Sequence, residues 1–275
     1  MNTMRTVMLM TLLTLVLVGA GGALGGQGGA LFALIIAGVM NLGSYWFSDK
    51  IVVKMYRGQE VQSGPLFDVV TELCQQNSLT MPKVYVLPQQ TPNAFATGRN
   101  PEHAVVAATQ GIMQVLSRDE LKGVMAHELA HVQNRDILIG SIAATIAGAI
   151  SYLAHMAQWA MIFGGGNDED DNPVAMIALM ILGPIAAMLV QMAISRSREY
   201  GADATGAKFC GNPHSLASAL RKLEMSNKQM PMQQVNEATA HMFIVSPLSG
   251  SKLAGLFSTH PPMEERIRRL EGMHV

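Results

Sequence analysis

His127-Glu128-Leu129-Ala130-His131 is the stretch whose residue types and spacing can do chemistry. On a helix, residues four apart point the same way, so the two imidazoles can converge on one cation. Glu128 lies about 100° round from His127, close to that cation yet free to act on a water beside it. A catalytic zinc takes three protein ligands and keeps a fourth position for water or substrate, so a further ligand has to come from elsewhere. His155, His214, His241, His260 and several acids follow downstream. The strongest candidate is Glu199 in Ser197-Arg198-Glu199-Tyr200-Gly201-Ala202-Asp203. Glu199 and Asp203 are four apart on an expected helix, so both can face the histidines. Asp203 would then accept the spare N–H of a ligand histidine and fix its tautomer. Spacing alone leaves a second reading open, in which Glu199 is an interfacial acid paired with Arg196 or Arg198.

These residues need a scaffold. Ser117-Arg118-Asp119-Glu120 is a capping box and predicts a helix from 118 to about 134, carrying both histidines. Arg135 and Asp136 close that helix and read as structural. Residues 65–77 read as an amphipathic helix. Strands are expected at Lys83–Leu87, at Asn93–Thr97 and at Ala104–Ala108. The C-terminal third reads as helical, with Pro213 near one helix start and a charged helix from about 262 to 271.

Composition sets the solvent. Of 275 residues, 19 are basic and 20 acidic, so the basic excess of a nucleic-acid partner is absent. Charged residues make up only 14%, against roughly 25% in ordinary soluble chains, and 49% are apolar. No charge occurs between Arg5 and Asp49, where apolar segments at 6–24 and 28–47 flank a glycine-rich stretch. Residues 137–163 and 174–195 are likewise uncharged and flank an acidic turn. Segments of about 20 apolar residues cross a bilayer as helices, so four spans in two hairpins are expected. A cleaved signal peptide at the start fits less well, since a second span follows at once. Arg5, Lys50, Lys54 and Arg57 flank the first hairpin and Arg135, Arg196 and Arg198 the second, which puts both tips outside and the remainder in the cytoplasm. His155 would lie within the third span and reads as a hydrogen-bonding partner of a neighbouring helix. Cys74 and Cys210 read as free, buried thiols.

The layout is therefore an N-terminal hairpin at 1–57, cytosolic-domain parts at 58–136 and 196–275, and a second hairpin at 137–195. The fold class is a mainly α membrane protein with four spans, joined to a cytosolic α+β domain with a small sheet. This topology favours Glu199 as the third ligand. Two crossings separate it from His131, and an even number returns the chain to the same face.

The order of spans, the H-E-L-A-H string, the S-R-x-x-E-x-x-x-D stretch and the late His260-Pro261-Pro262 resemble the HtpX family of bacterial membrane zinc endopeptidases. The likeness runs over nearly the whole chain. The wider family includes the prenyl-protein (CaaX) endopeptidases. The resemblance implies a gluzincin-type site with one zinc per chain, held by His127, His131 and Glu199, with Glu128 as base and Asp203 behind a ligand. It implies a cytoplasm-facing site in the inner membrane, and a role in quality control. Misfolded membrane proteins, and the protein itself, would be cut there. It also implies a substrate-facing edge strand at Asn93-Ala94-Phe95, with the Asn93 side chain on a substrate carbonyl, and an oxyanion-stabilising role for His260. Unaided, Asn93 reads as a turn residue and His260 as a helix-start residue. Rival readings are a non-catalytic scaffold or chaperone-like binder with a structural metal, a protease cutting within the bilayer, and a prenyl-peptide processing enzyme. Structural zinc sites are usually rich in cysteine, and this set has none.

Overall fold

The computed structural model describes residues 52–136, 196–229, 244 and 261–274, with isolated residues and short groups among 15–50. Contacts divide the chain into two compact units, residues 1–44 with 139–194 and residues 45–138 with 195–275. The apolar segments at 6–24, 28–47, 137–163 and 174–195, and His155 with them, lie mostly outside the described residues. Among the described residues, no helix is long and apolar enough to cross a membrane.

The second unit holds a four-stranded sheet in the order β1-β2-β4-β3. The strands are β1 (Gln59–Glu60), β2 (Lys83–Leu87), β3 (Ala94–Gly98) and β4 (Ala104–Thr109). β2 and β4 are parallel, while β1 and β3 pair antiparallel with their neighbours. The three strands expected from sequence are thus present, and β3 lies at an edge. β1 is too short to leave a periodic signal.

The helices of this unit include α1 (Pro65–Gln76), α2 (Gln110–Val115), α3 (Arg118–Asn134), α4 over residues 196–210, α5 (Pro213–Gln229) and α6 (Met263–Glu271). In α1, Leu66, Val69, Val70, Leu73 and Cys74 repeat at helical spacing and are all buried. They join Val84, Val106, Val124, Leu129, Leu216, Leu220 and Leu270 in the main core. Cys74 and Cys210 are free.

α3 is buried along most of its length, because it packs against α1, β3 and α5 at once. Its predicted capping box is present: Ser117 and Glu120 each bond the other's main-chain N–H. The Glu120 carboxylate also accepts from Ser218 and Lys222 of α5, both at 2.7 Å. Gly123 lets the two helices meet, since a Cβ there would lie 2.6 Å from the main-chain nitrogen of Leu216. Burial works against the charge on Glu120, but Lys222, the Ser117 N–H and Ser218 outweigh it and hold its pKa down to about 2. An acid with a lowered folded-state pKa stabilises the fold fully above its unfolded value and loses that effect as pH falls through the folded one. Glu120→Gln should therefore cost on the order of 1–3 kcal/mol at neutral pH, allowing for solvent around Lys222. Melting curves of the two proteins should converge between pH 4.5, the ordinary value, and about 2.

Candidate metal centre

α3 presents His127 and His131 on one face, as their spacing demands. Their Nε2 atoms are 3.1 Å apart. α4 brings Glu199 opposite, with Oε2 3.5 Å from His127 Nε2 and Oε1 3.5 Å from His131 Nε2. Gly206 permits this approach: a Cβ there would lie 2.8 Å from the Cα of His127. Glu199, Asp203 and Gly206 fall at helical positions 0, 4 and 7, one face of α4, and that face meets the histidines.

Asp203 lies beside His127, as its spacing places it, with Oδ1 3.0 Å from His127 Nδ1. His131 has its own carboxylate, and it is Asp136, with Oδ2 3.1 Å from Nδ1. The reading of Asp136 as a purely structural helix end is therefore incomplete. Arg266 on α6 is 0% exposed and reaches the same centre. Its Nε and Nη2 donate to the two oxygens of Asp203 at 2.9 and 2.7 Å, and Nη1 lies 3.1 Å from Glu199 Oε2. The sequence signal for Arg266 was available: Met263, Arg266, Ile267 and Leu270 form the inward stripe of α6. A cation within such a stripe has to meet buried anions. Arg269 stacks on the Tyr200 ring at 3.8 Å and ties α6 to α4 beside it.

Electrostatics follow from burial and these partners. Burial and His131 push His127 towards neutrality, but Asp203 and Glu199 outweigh them and raise its pKa. His131 is likewise opposed by burial, yet Asp136, Glu199 and Glu128 lift it to about 10. Burial opposes the charge of Asp203, but Arg266 and His127 hold it down at about 2. Glu128 goes the other way. It is 4% exposed, and burial, with the nearby charge of Glu199, raises its pKa against the pull of both histidines and the Ala96 main-chain N–H.

The residues present fit a divalent cation by two measures. At zinc–nitrogen and zinc–oxygen lengths, ligand atoms on a tetrahedron lie about 3.3 Å apart, close to the separations found here. Glu128, Asp136, Glu199 and Asp203 are all buried, and among the described residues Arg198 and Arg266 carry opposing charge beside them. With neutral histidines, two negative charges remain for one divalent ion to balance.

Of the remaining residues named from sequence, Asn93 is buried at the head of β3. Its main-chain N–H donates to Thr109 Oγ1 at 2.9 Å, and its Oδ1 accepts from the Ile244 N–H at 3.3 Å. Ala94 and Phe95 are also buried, on the strand that packs against α3. His260 lies outside the described residues; its neighbour Pro261 is buried, and α6 starts at Met263.

A small mixed sheet beside a helix with two metal-facing histidines, plus a carboxylate from a second helix, defines a metal-dependent peptidase. The chain belongs to peptidase family M48, whose model matches residues 60–274. It is 74% identical to a protease HtpX homolog of Syntrophotalea carbinolica, with 100% of both chains covered. A second protease HtpX homolog, from Desulfatibacillum aliphaticivorans, is 58% identical, covering 98% of this chain and 89% of the relative. Among solved structures, Ste24p of S. mikatae shares the fold at a TM-score of 0.57 and 18% identity. That match covers 94% of this chain and spans 62% of the Ste24p chain. The protein is a metalloprotease, as the HtpX resemblance implies, and the scaffold and prenyl-processing readings find no support.

Proposed function

We propose that this protein is a zinc-dependent endopeptidase of the bacterial inner membrane, with His127, His131 and Glu199 as ligands and its site facing the cytoplasm. The observation that carries this reading is the convergence of two Nε2 atoms and the Glu199 carboxylate, 3.1 to 3.5 Å apart, beside the buried Glu128. When bound, the ion supplies Lewis acidity, which acidifies a water and polarises the scissile carbonyl. Glu128 takes the proton of the attacking water as the new C–O bond forms. It returns that proton to the departing amine as the C–N bond breaks. Its buried carboxyl next to His127 is placed for both halves of that transfer. Asp203 and Arg266 hold His127 and Glu199 in place, and His260 stabilises the oxyanion.

Substrates dock in extended form along β3, with the Asn93 carboxamide on a substrate carbonyl; the edge position of the strand supports this. They are misfolded membrane proteins and other copies of the enzyme. Membrane residence is supported by the uncharged segments, and by the helical residues Leu31, Phe32, Ile35 and Val39, whose apolar side chains are 58–66% exposed. The full chain, purified in detergent, is expected to contain one zinc per molecule and to cleave casein. A chelator should abolish cleavage and added zinc restore it. Full activity in metal-free protein would refute the proposal.

A further inference from the structure

The two histidines use their ring nitrogens alike: Nε2 faces inward, and Nδ1 faces a carboxylate. Asp203, which serves His127, comes from α4. Asp136 comes from the chain just beyond α3 itself, and its position is unusual in three respects. It is 7% exposed although a carboxylate, and its own main chain is helical again just after the break at Arg135. On an uninterrupted helix, moreover, a residue five beyond His131 lies about 140° round and about 7.5 Å further along, away from the ring. The chain avoids this by placing Arg135 in the left-handed region, with φ 57° and ψ 28°, which folds residue 136 back. A side chain other than glycine rarely adopts that conformation unless its surroundings require it. Finally, Arg198 Nη1 donates to the main-chain carbonyl of Asp136, and Arg198 directly precedes Glu199.

We propose that Asp136, clamped by Arg198, is the positioning residue of His131. Its carboxylate keeps the proton on Nδ1, which leaves the Nε2 lone pair aimed at the metal. Through Arg198, the end of the histidine helix is locked to the helix that bears Glu199. Each histidine then has its own anion, and the two ligand-bearing helices are fastened to each other beside the site. The inference rests on the metal-centre reading of His127, His131 and Glu199.

The test uses the full chain in detergent, as wild type, Asp136→Ala, Asp136→Asn, Arg198→Leu and His131→Ala. Zinc affinity is measured by competition with a chromophoric chelator, the absorption spectrum is recorded after loading with cobalt(II), and the metal-free proteins are melted. Asp136→Ala should weaken zinc binding about 10- to 100-fold and alter the cobalt bands. The melting midpoint of its metal-free form should hold or rise. Asp136→Asn should fall between, because its carboxamide oxygen still accepts from Nδ1–H, and Arg198→Leu should show a smaller loss. Wild-type affinity with an unchanged cobalt spectrum in Asp136→Ala overturns the proposal. A metal-free melting loss that matches the loss of affinity also overturns it, since that is the mark of a merely structural residue. If Asp136→Ala does not fold, Asp136→Asn carries the same two criteria. Wild type without zinc, or His131→Ala binding as wild type does, would instead bring down the metal centre itself.

Discussion

Glu128→Gln is expected to keep its metal and lose peptide cleavage by about 10²- to 10⁴-fold, the usual contribution of a general acid–base group. The grouping of metal-facing atoms comprises His127, His131 and Glu199, and Glu128 is outside it. An amide of the same shape therefore leaves the ligand set whole. It can still accept from the Ala96 N–H that meets the carboxylate. What it cannot do is take a proton from water. Casein turnover together with metal content, measured on the same preparation, checks both halves. Normal proteolysis by the pure variant would remove Glu128 from the chemistry.

The second large effect is expected from Glu199→Ala, which should bring metal content to background and activity with it. Two histidines on one helix give only part of a catalytic zinc site. The fold should persist, because Arg266 keeps both of its hydrogen bonds to Asp203. A melting curve close to that of metal-free wild type would show this. Glu199→Ala that retains one metal per chain would exclude Glu199 as a ligand.

Much of this centre could be read from the residues alone, and the reason is helical geometry. A spacing of four fixes His127 with His131 and Glu199 with Asp203, whatever surrounds them. The capping box at Ser117 fixed where α3 begins, and α1, β2, β4 and α6 emerged close to their predicted limits. Asp136 was illegible for a physical reason: its contact depends on one left-handed residue, and Arg135 carries no mark of that conformation in its type. Arg266 was missed differently. The stripe that buries it is visible, but charge ordinarily marks a solvent-facing position, and only the pairing with Glu199 and Asp203 reverses that rule. β1 and α2 are short and held by neighbours rather than by their own periodicity. The four apolar segments were legible as candidate spans, and they fall mostly outside the described residues.

The Arg266 contact also orders events in time. Chain leaving a ribosome carries His127 and His131 well ahead of the arginine, 139 positions after the first of them. Until α6 docks, Glu199 and Asp203 lack the guanidinium that reaches both of them. The full set of contacts around Glu199 and Asp203 therefore forms only once the chain as far as Arg266 has been made.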